Sequence, residues 1–159
     1  VGTDPWHRST RLNGKDVERE IRTAATTAAV SAVSAVQAVR TQLVAQQRLL
    51  ISRAPTVAEG RDIGSVVWPD AELKVYLTAR EDVRARRRAG ELGSLDSDDL
   101  SRIAQSLRRR DALDSSRAAS PLRRPDGSTE VDTSELTIDE VVELLAGLAF
   151  QAVSTADRA

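Results

Sequence analysis

The 159-residue sequence has no cysteine, no methionine and one histidine, His7. The missing thiols exclude disulfides, thiolate metal sites and a cysteine nucleophile, and a lone imidazole excludes any site that needs two. Aromatic residues make up only 3% of the chain, so a core must be built from Ala, Val, Leu and Ile. No apolar run approaches the roughly eighteen residues of a membrane span, and no signal-peptide pattern precedes a small-residue cleavage site. The expected address is the cytoplasm, with no membrane partner. An excess of one charge is also lacking: 23 Lys and Arg face 24 Asp and Glu, a net charge of −1. Binding to a nucleic acid polymer normally leaves a strongly basic domain, so no such partner is expected. The chain begins at Val1 without a methionine, and a missing N-terminal piece is expected.

What is present is arginine. Of the 23 basic residues only Lys15 and Lys74 are lysine. A GC-rich genome gives the same bias, but the planar guanidinium fork also binds phosphates and base edges bidentately, where a merely soluble surface accepts lysine equally well. The length fits one ordinary domain, long enough to bury a sizeable core.

Five stretches follow from the pattern of breakers and apolar residues. Residues 1–16 are polar and aperiodic, a loop or the end of a missing N-terminal part, with His7 as an exposed polar residue. Residues 17–55 are helical, in one helix or two in tandem: no Gly or Pro occurs from 17 to 52, and Ile21, Ala25, Ala28, Val33, Val36, Val39, Leu43 and Leu50 form a stripe expected to pack against a neighbour. Residues 56–80 hold a short strand candidate at 56–58, a turn-rich motif, and the run Leu73-Lys74-Val75-Tyr76-Leu77, which reads as a buried parallel strand. Residues 81–125 hold a helix over 81–92, a hinge at Gly90, Gly93, Ser94 and Asp96, and a second helix through Leu100, Ile103, Ala104 and Leu107. In residues 126–159, Glu130-Val131-Asp132 is a weak strand, and Thr137-Ile138-Asp139-Glu140 has the form of a capping box opening a helix. Ile138, Val141, Val142, Leu145, Leu148 and Ala152 are its expected buried face. Strands separated by helices indicate an α/β fold, a parallel sheet flanked by helices.

Three clusters could carry chemistry. Glu59-Gly60-Arg61-Asp62 stands beside a strand end, where open α/β sheets bind ligands; Arg61 suits a phosphate and Asp62 an amino group. The same four residues also describe an ordinary turn with a surface ion pair. Arg110, Asp114 and Arg117 recur at spacings of four and three, so that they share one helix face and could hold a sugar hydroxyl and a phosphate. That spacing equally describes an exposed salt-bridge ladder, worth about 0.2–0.5 kcal/mol per pair. Arg84-Ala85-Arg86-Arg87-Arg88 could face a transferring phosphate, bind a polymer, or simply be a solvated face.

Taken in order, these segments resemble the bacterial cytidylate (CMP) kinase family. The resemblance rests on Asp16-Val17 with Glu20-Ile21-Arg22, Ser31-Ala32-Val33, Val39-Arg40 with Gln47-Arg48, the long string from Glu59-Gly60-Arg61-Asp62-Ile63-Gly64 to Trp68-Pro69-Asp70-Ala71, Arg110-Asp111 with Asp114-Ser115-Ser116-Arg117, and Val131-Asp132-Thr133-Ser134. It runs from about residue 12 to about residue 148. The resemblance implies the fold of the P-loop nucleoside monophosphate kinases and transfer of the γ-phosphoryl group of ATP to CMP or dCMP with Mg²⁺, by an enzyme that is monomeric when complete. It implies that Ser31, Arg40 and Asp62 read the cytosine edge, and that Arg61 and Arg117 hold the acceptor phosphate. Asp114 and Arg110 would reach the ribose, with Arg61, Arg110 and Arg117 serving the transfer. Residues 84–107 would form a lid carrying Arg84, Arg87 and Arg88.

One departure matters. The family opens with a strand, a phosphate loop G-x-x-x-x-G-K-[ST] and its helix. The only Gly-Lys pair here is Gly14-Lys15, followed by Asp16, with Ser9 in place of the earlier glycine. The expected sheet is therefore incomplete, lacking its first strand and the P-loop helix, and the chain alone is expected to be inactive. Marginal folding or association is expected from the unpaired strands. The alternative is a non-catalytic CMP-binding or protein-interaction module; an RNA-binding helical protein using the Arg84 and Arg108 clusters is a third reading.

Overall fold

The computed structural model describes residues 9–93, 96–116 and 120–156, apart from the side chains of Ala24, Ala28, Ser31 and Ala156. His7, Ser94 and Arg117 lie outside the described residues. The chain divides into two compact units, residues 1–42 and 43–159.

The first unit opens with a hairpin of β1 (Arg11–Leu12) and β2 (Lys15–Asp16), antiparallel, with Arg11 opposite Asp16 and Leu12 opposite Lys15. Asn13 and Gly14 both take positive φ, 51° and 82°, as the two central residues of a hairpin turn of this twist require. Gly14-Lys15 is thus the corner of a hairpin, not the start of a helix. A 3₁₀ turn over Glu20–Arg22 follows, and Thr23 caps α1 (Ala24–Ser34) by accepting from the Thr26 amide at 3.3 Å. The helical stretch is therefore broken in two: the Ala35 and Val36 amides bond three residues back to Ala32 and Val33, while the Ser34 hydroxyl bonds the Val30 carbonyl. Beyond the break α2 (Gln37–Ile51) begins. Val33, Val36, Leu43 and Leu50 are exposed, so the expected stripe is not covered.

In the second unit the expected strand at 56–58 does not form, and Val57 is fully exposed. A three-residue segment with no ladder partner has nothing to satisfy its amides as a strand. The motif that follows closes instead into a π-helical turn, Ile63–Val67, in which the Asp62 carbonyl accepts from both Val66 (2.9 Å) and Val67 (3.2 Å). Gly60 is required here, because a Cβ would stand 2.7 Å from Ile63 Cγ1.

The expected parallel strand forms as β3 (Val75–Thr78) and the weak one as β4 (Thr129–Asp132), pairing in parallel with Val75 opposite Thr129 and Thr78 opposite Asp132, but the expected burial is not met, because no residue of β3 is fully buried. Leu77 is half-exposed, since β4 lines one edge of β3 and no described strand lines the other. The crossover between them is a pair of packed helices, α3 (Glu81–Leu92) and α4 (Ser97–Ser115). Val83, Ala85 and Ala89 are the buried face of α3, and Gly93 closes it in the left-handed conformation at φ 72°. Gly90 lies inside the helix rather than at a hinge. Asp96 caps α4, accepting from the Asp98 amide at 3.1 Å.

The chain's last described helix is α5 (Ile138–Ala156). The capping box forms as its sequence demands: the Thr137 hydroxyl accepts from the Glu140 amide and the Glu140 carboxylate accepts from the Thr137 amide at 2.8 Å. Its buried face needs correction. Val141, Leu145, Leu148 and Ala152 are half-buried, but Ile138 and Val142 are exposed. Among the described residues no single helix is long and apolar enough to cross a membrane.

Candidate functional site

The polar centre of the second unit is built from three segments: the loop before the π-turn, the middle of α3 and the last turns of α4. Arg61 extends from the loop toward α4 and places Nη1 at 2.8 Å from Asp111 Oδ1 and 2.5 Å from Asp114 Oδ2. Arg84, from α3, pairs with the other oxygen of Asp111, and Arg110 Nε lies 3.8 Å from Asp114 Oδ2. Asp62, next to Arg61, is buried.

This geometry bears on two of the alternatives left open by the sequence. Arg61 makes its ion pairs with residues 50 and 53 positions away, not with Asp62, so the motif is not a turn closed by its own surface pair. Nor are Arg110 and Asp114 an exposed ladder. The Asp114 side chain is only 2% exposed, and Arg61 stands far closer to it than Arg110 does. Arg110 and Asp114 lie on α4, and the expectation that Arg117 shares their face concerns a residue outside the described ones.

Why Asp114 is buried follows from the chain around it. Its position on the inner side of α4 is followed by a turn in which the Leu122 amide returns to bond the Asp114 carbonyl at 2.9 Å. A buried carboxylate is costly unless a cation accompanies it, and the guanidinium of Arg61 supplies that cation. Asp111 is a partial case. Burial alone pushes its carboxyl up, but the bonds from Arg84 and Arg61 outweigh this and hold it below the usual carboxylate range.

The other arginines of α3 have separate partners. Arg87 donates from Nη1 to the Thr133 hydroxyl at 2.9 Å and from Nη2 to the carbonyls of Thr133 (2.6 Å) and Leu136 (3.2 Å). It thereby ties α3 to the turn after β4. Thr133 is in turn anchored on Thr78, its amide and hydroxyl both bonding the Thr78 carbonyl. Arg88 pairs with Glu91 on its own helix. Of the residues assigned to the cytosine edge, Arg40 lies half-buried in the first turn of α2, in the first unit, and Ser31 lies in α1. Arg117 is outside the described residues.

Two contributors stood in the matching segments but were given no role from sequence. Asp111 binds two of the arginines, and its spacing of three from Asp114 was the available signal, since both carboxylates then share a helix face. Arg48, on α2, donates from Nε to the Val67 carbonyl (2.8 Å) and from Nη2 to the Val66 carbonyl (2.9 Å), bracing the π-turn from its far end. No local spacing reveals that bond.

Chemically, three guanidiniums around two carboxylates, with a buried acid alongside, offer donors suited to an anion and acceptors suited to a hydrogen-bond donor. It contains no nucleophile. Among the described residues no group of His, Cys, Asp or Glu is arranged to hold a metal ion.

A sequence profile of the family described as cytidylate kinase matches residues 3–151. The cytidylate kinase of Rhodococcus opacus (strain B4) is 55% identical over 144 residues, covering 89% of this chain and 63% of the relative. That of Streptomyces griseus subsp. griseus is 47% identical over 149 residues, covering 92% of this chain and 63% of the relative. A bifunctional pantoate ligase/cytidylate kinase of Prochlorococcus marinus (strain MIT 9313) is 45% identical over 143 residues, 89% of this chain and 28% of that protein. The chain thus spans somewhat under two thirds of the length of the Rhodococcus and Streptomyces relatives.

Proposed function

The chain belongs to the cytidylate kinase family, and on that premise we propose that it carries the acceptor-nucleotide side of an ATP-dependent CMP/dCMP kinase without the donor side. Arg61, with Arg117, holds the acceptor phosphate; Asp114 and Arg110 reach the ribose; Asp62, with Ser31 and Arg40, reads cytosine; Arg84, Arg87 and Arg88 belong to the lid. The observation that carries this reading is the buried Asp114 fixing Arg61 beside buried Asp62. Cytosine offers an amino donor beside two acceptors, so an acidic acceptor with an Arg donor is its complement, each good contact being worth about 1–3 kcal/mol. Uracil would set a carbonyl oxygen against Asp62.

In such enzymes catalysis is positioning and charge neutralisation, so no side chain needs to form a covalent bond. The donor ATP and its Mg²⁺ are a different matter. Their cradle requires backbone amides, a lysine and a hydroxyl at a strand-to-helix turn, and the sequence has no G-x-x-x-x-G-K-[ST]. Gly14-Lys15 sits in a hairpin. These residues do not fit the triphosphate, so no step through it is assigned to this chain. The chain is accordingly read as a portion of a longer cytidylate kinase, inactive alone. Its sheet lacks the strand that would join 56–58 to β3, a reading supported by fully exposed Val57 and by β3, which has no described partner on one edge.

The test is nucleotide selectivity. Calorimetric titration should give saturable CMP binding, weaker UMP binding, and an Asp62→Ala variant that loses about tenfold for CMP while changing little for UMP, the worth of one good edge contact. Equal loss for both nucleotides would contradict the role of Asp62.

A further inference from the structure

Resting on the reading of Arg61 as an acceptor-phosphate ligand, we propose that Asp111 competes with the incoming phosphate: its carboxylate bridges Arg61 and Arg84 as a phosphate would, and the nucleotide's phosphate displaces it.

Arg61 has two carboxylate partners, and they are not equivalent. Asp114 is 2% exposed and stands 2.5 Å from Nη1, so it cannot leave without stranding a buried charge. Asp111 is 26% exposed and reaches Arg61 with one oxygen and Arg84 with the other, so it has a path to solvent that Asp114 lacks. The buried acid aims the guanidinium, and the part-buried acid occupies it. A phosphate oxygen has the same charge and acceptor geometry as the carboxylate oxygen it would replace.

The charge tally gives the direction of the exchange. Arg61, Arg84 and Arg110 supply three positive charges, and Asp111, Asp114 and the buried Asp62 beside Arg61 supply three negative ones. A phosphate monoester adds between about −1.5 and −2. With Asp111 still in place the cluster carries all of that excess, and releasing Asp111 to solvent removes at least half of it. Asp111 also links three segments, since Arg61 precedes the π-turn, Arg84 is on α3 and Asp111 is on α4. Exchanging it for phosphate therefore changes what holds α3, which places acceptor binding and the lid segment on one shared carboxylate.

The experiment uses the full chain and inorganic phosphate as the probe, followed by equilibrium dialysis, with circular dichroism to check folding. Asp111→Asn removes the competing charge and keeps the shape. It should bind phosphate about threefold to fivefold more tightly than the parent, the worth of one part-exposed ion pair. Adding Arg84→Gln should abolish that gain. If Asp111→Asn does not fold, Asp111→Ser makes the same comparison. A purely structural Asp111 would lower stability without raising affinity. Unchanged or weakened phosphate binding in the variant, or none at tens of millimolar, overturns the proposal. The two readings fail separately. Tighter phosphate binding with no preference for CMP would sink the nucleotide reading alone, and selective CMP binding with no gain in Asp111→Asn would sink the competition alone.

Discussion

At the scale of single residues, Asp114 sets the character of the site. Its carboxylate is almost wholly enclosed and is matched to Arg61, so Arg61→Ala leaves a buried charge without its nearest cation. Breaking such a pair costs about 3–5 kcal/mol, and the lower end applies because Arg61 is itself a third exposed. Urea unfolding should show that loss, and an unchanged midpoint would mean Asp114 is not held by Arg61. Asp111 makes a prediction in pH. Its folded carboxyl lies below the unfolded value, so its stabilising bonds are fully present above about pH 4 and fade as pH falls through the folded value. Acid titration of Asp111→Asn should lack that component, and an identical acid limb would contradict it. The sequence made Arg61, Asp62, Arg110 and Asp114 legible because motif and spacing mark them. It could not show that Arg61 crosses to α4 or that Arg48 braces the π-turn, because those partners are 18 to 53 residues away and leave no local signature.

At the scale of elements, sequence was most informative where a terminus carries its own chemistry. The helix expected over 81–92 forms with those bounds, opening on Glu81 and Asp82 and closing on a left-handed Gly93. The capping box at Thr137 and Glu140 likewise forms. Thr137→Ala should cost about 1 kcal/mol and shorten α5 at its start. Amide exchange in the first turn of α5 would report it, and exchange no faster than in the parent would contradict it. Elements without such punctuation were read less well. The break at 35–36 lies in an Ala- and Val-rich run with no Gly or Pro, where only the backbone bonds reveal it. The 56–58 strand was expected from composition, yet a strand exists only with a partner, and none of the described strands provides one.

At the scale of the whole molecule, the second unit exposes apolar surface, and no described strand pairs with the second edge of β3. Ile138 is 82% and Phe150 is 77% exposed, and Leu77 is exposed on the two-stranded sheet. An exposed strand edge with apolar neighbours invites pairing with another chain. Sedimentation should show association that grows with concentration, and a sharp, concentration-independent monomeric melting transition would contradict it.

The central claim is that a pyrimidine monophosphate pocket is present where a triphosphate cradle is not. Side-by-side calorimetric titration of the purified chain with CMP and with ATP plus Mg²⁺ tests it most directly. Saturable heat for CMP and none for ATP is the predicted result. ATP binding as tight as CMP binding, or no CMP heat at millimolar concentration, would contradict it.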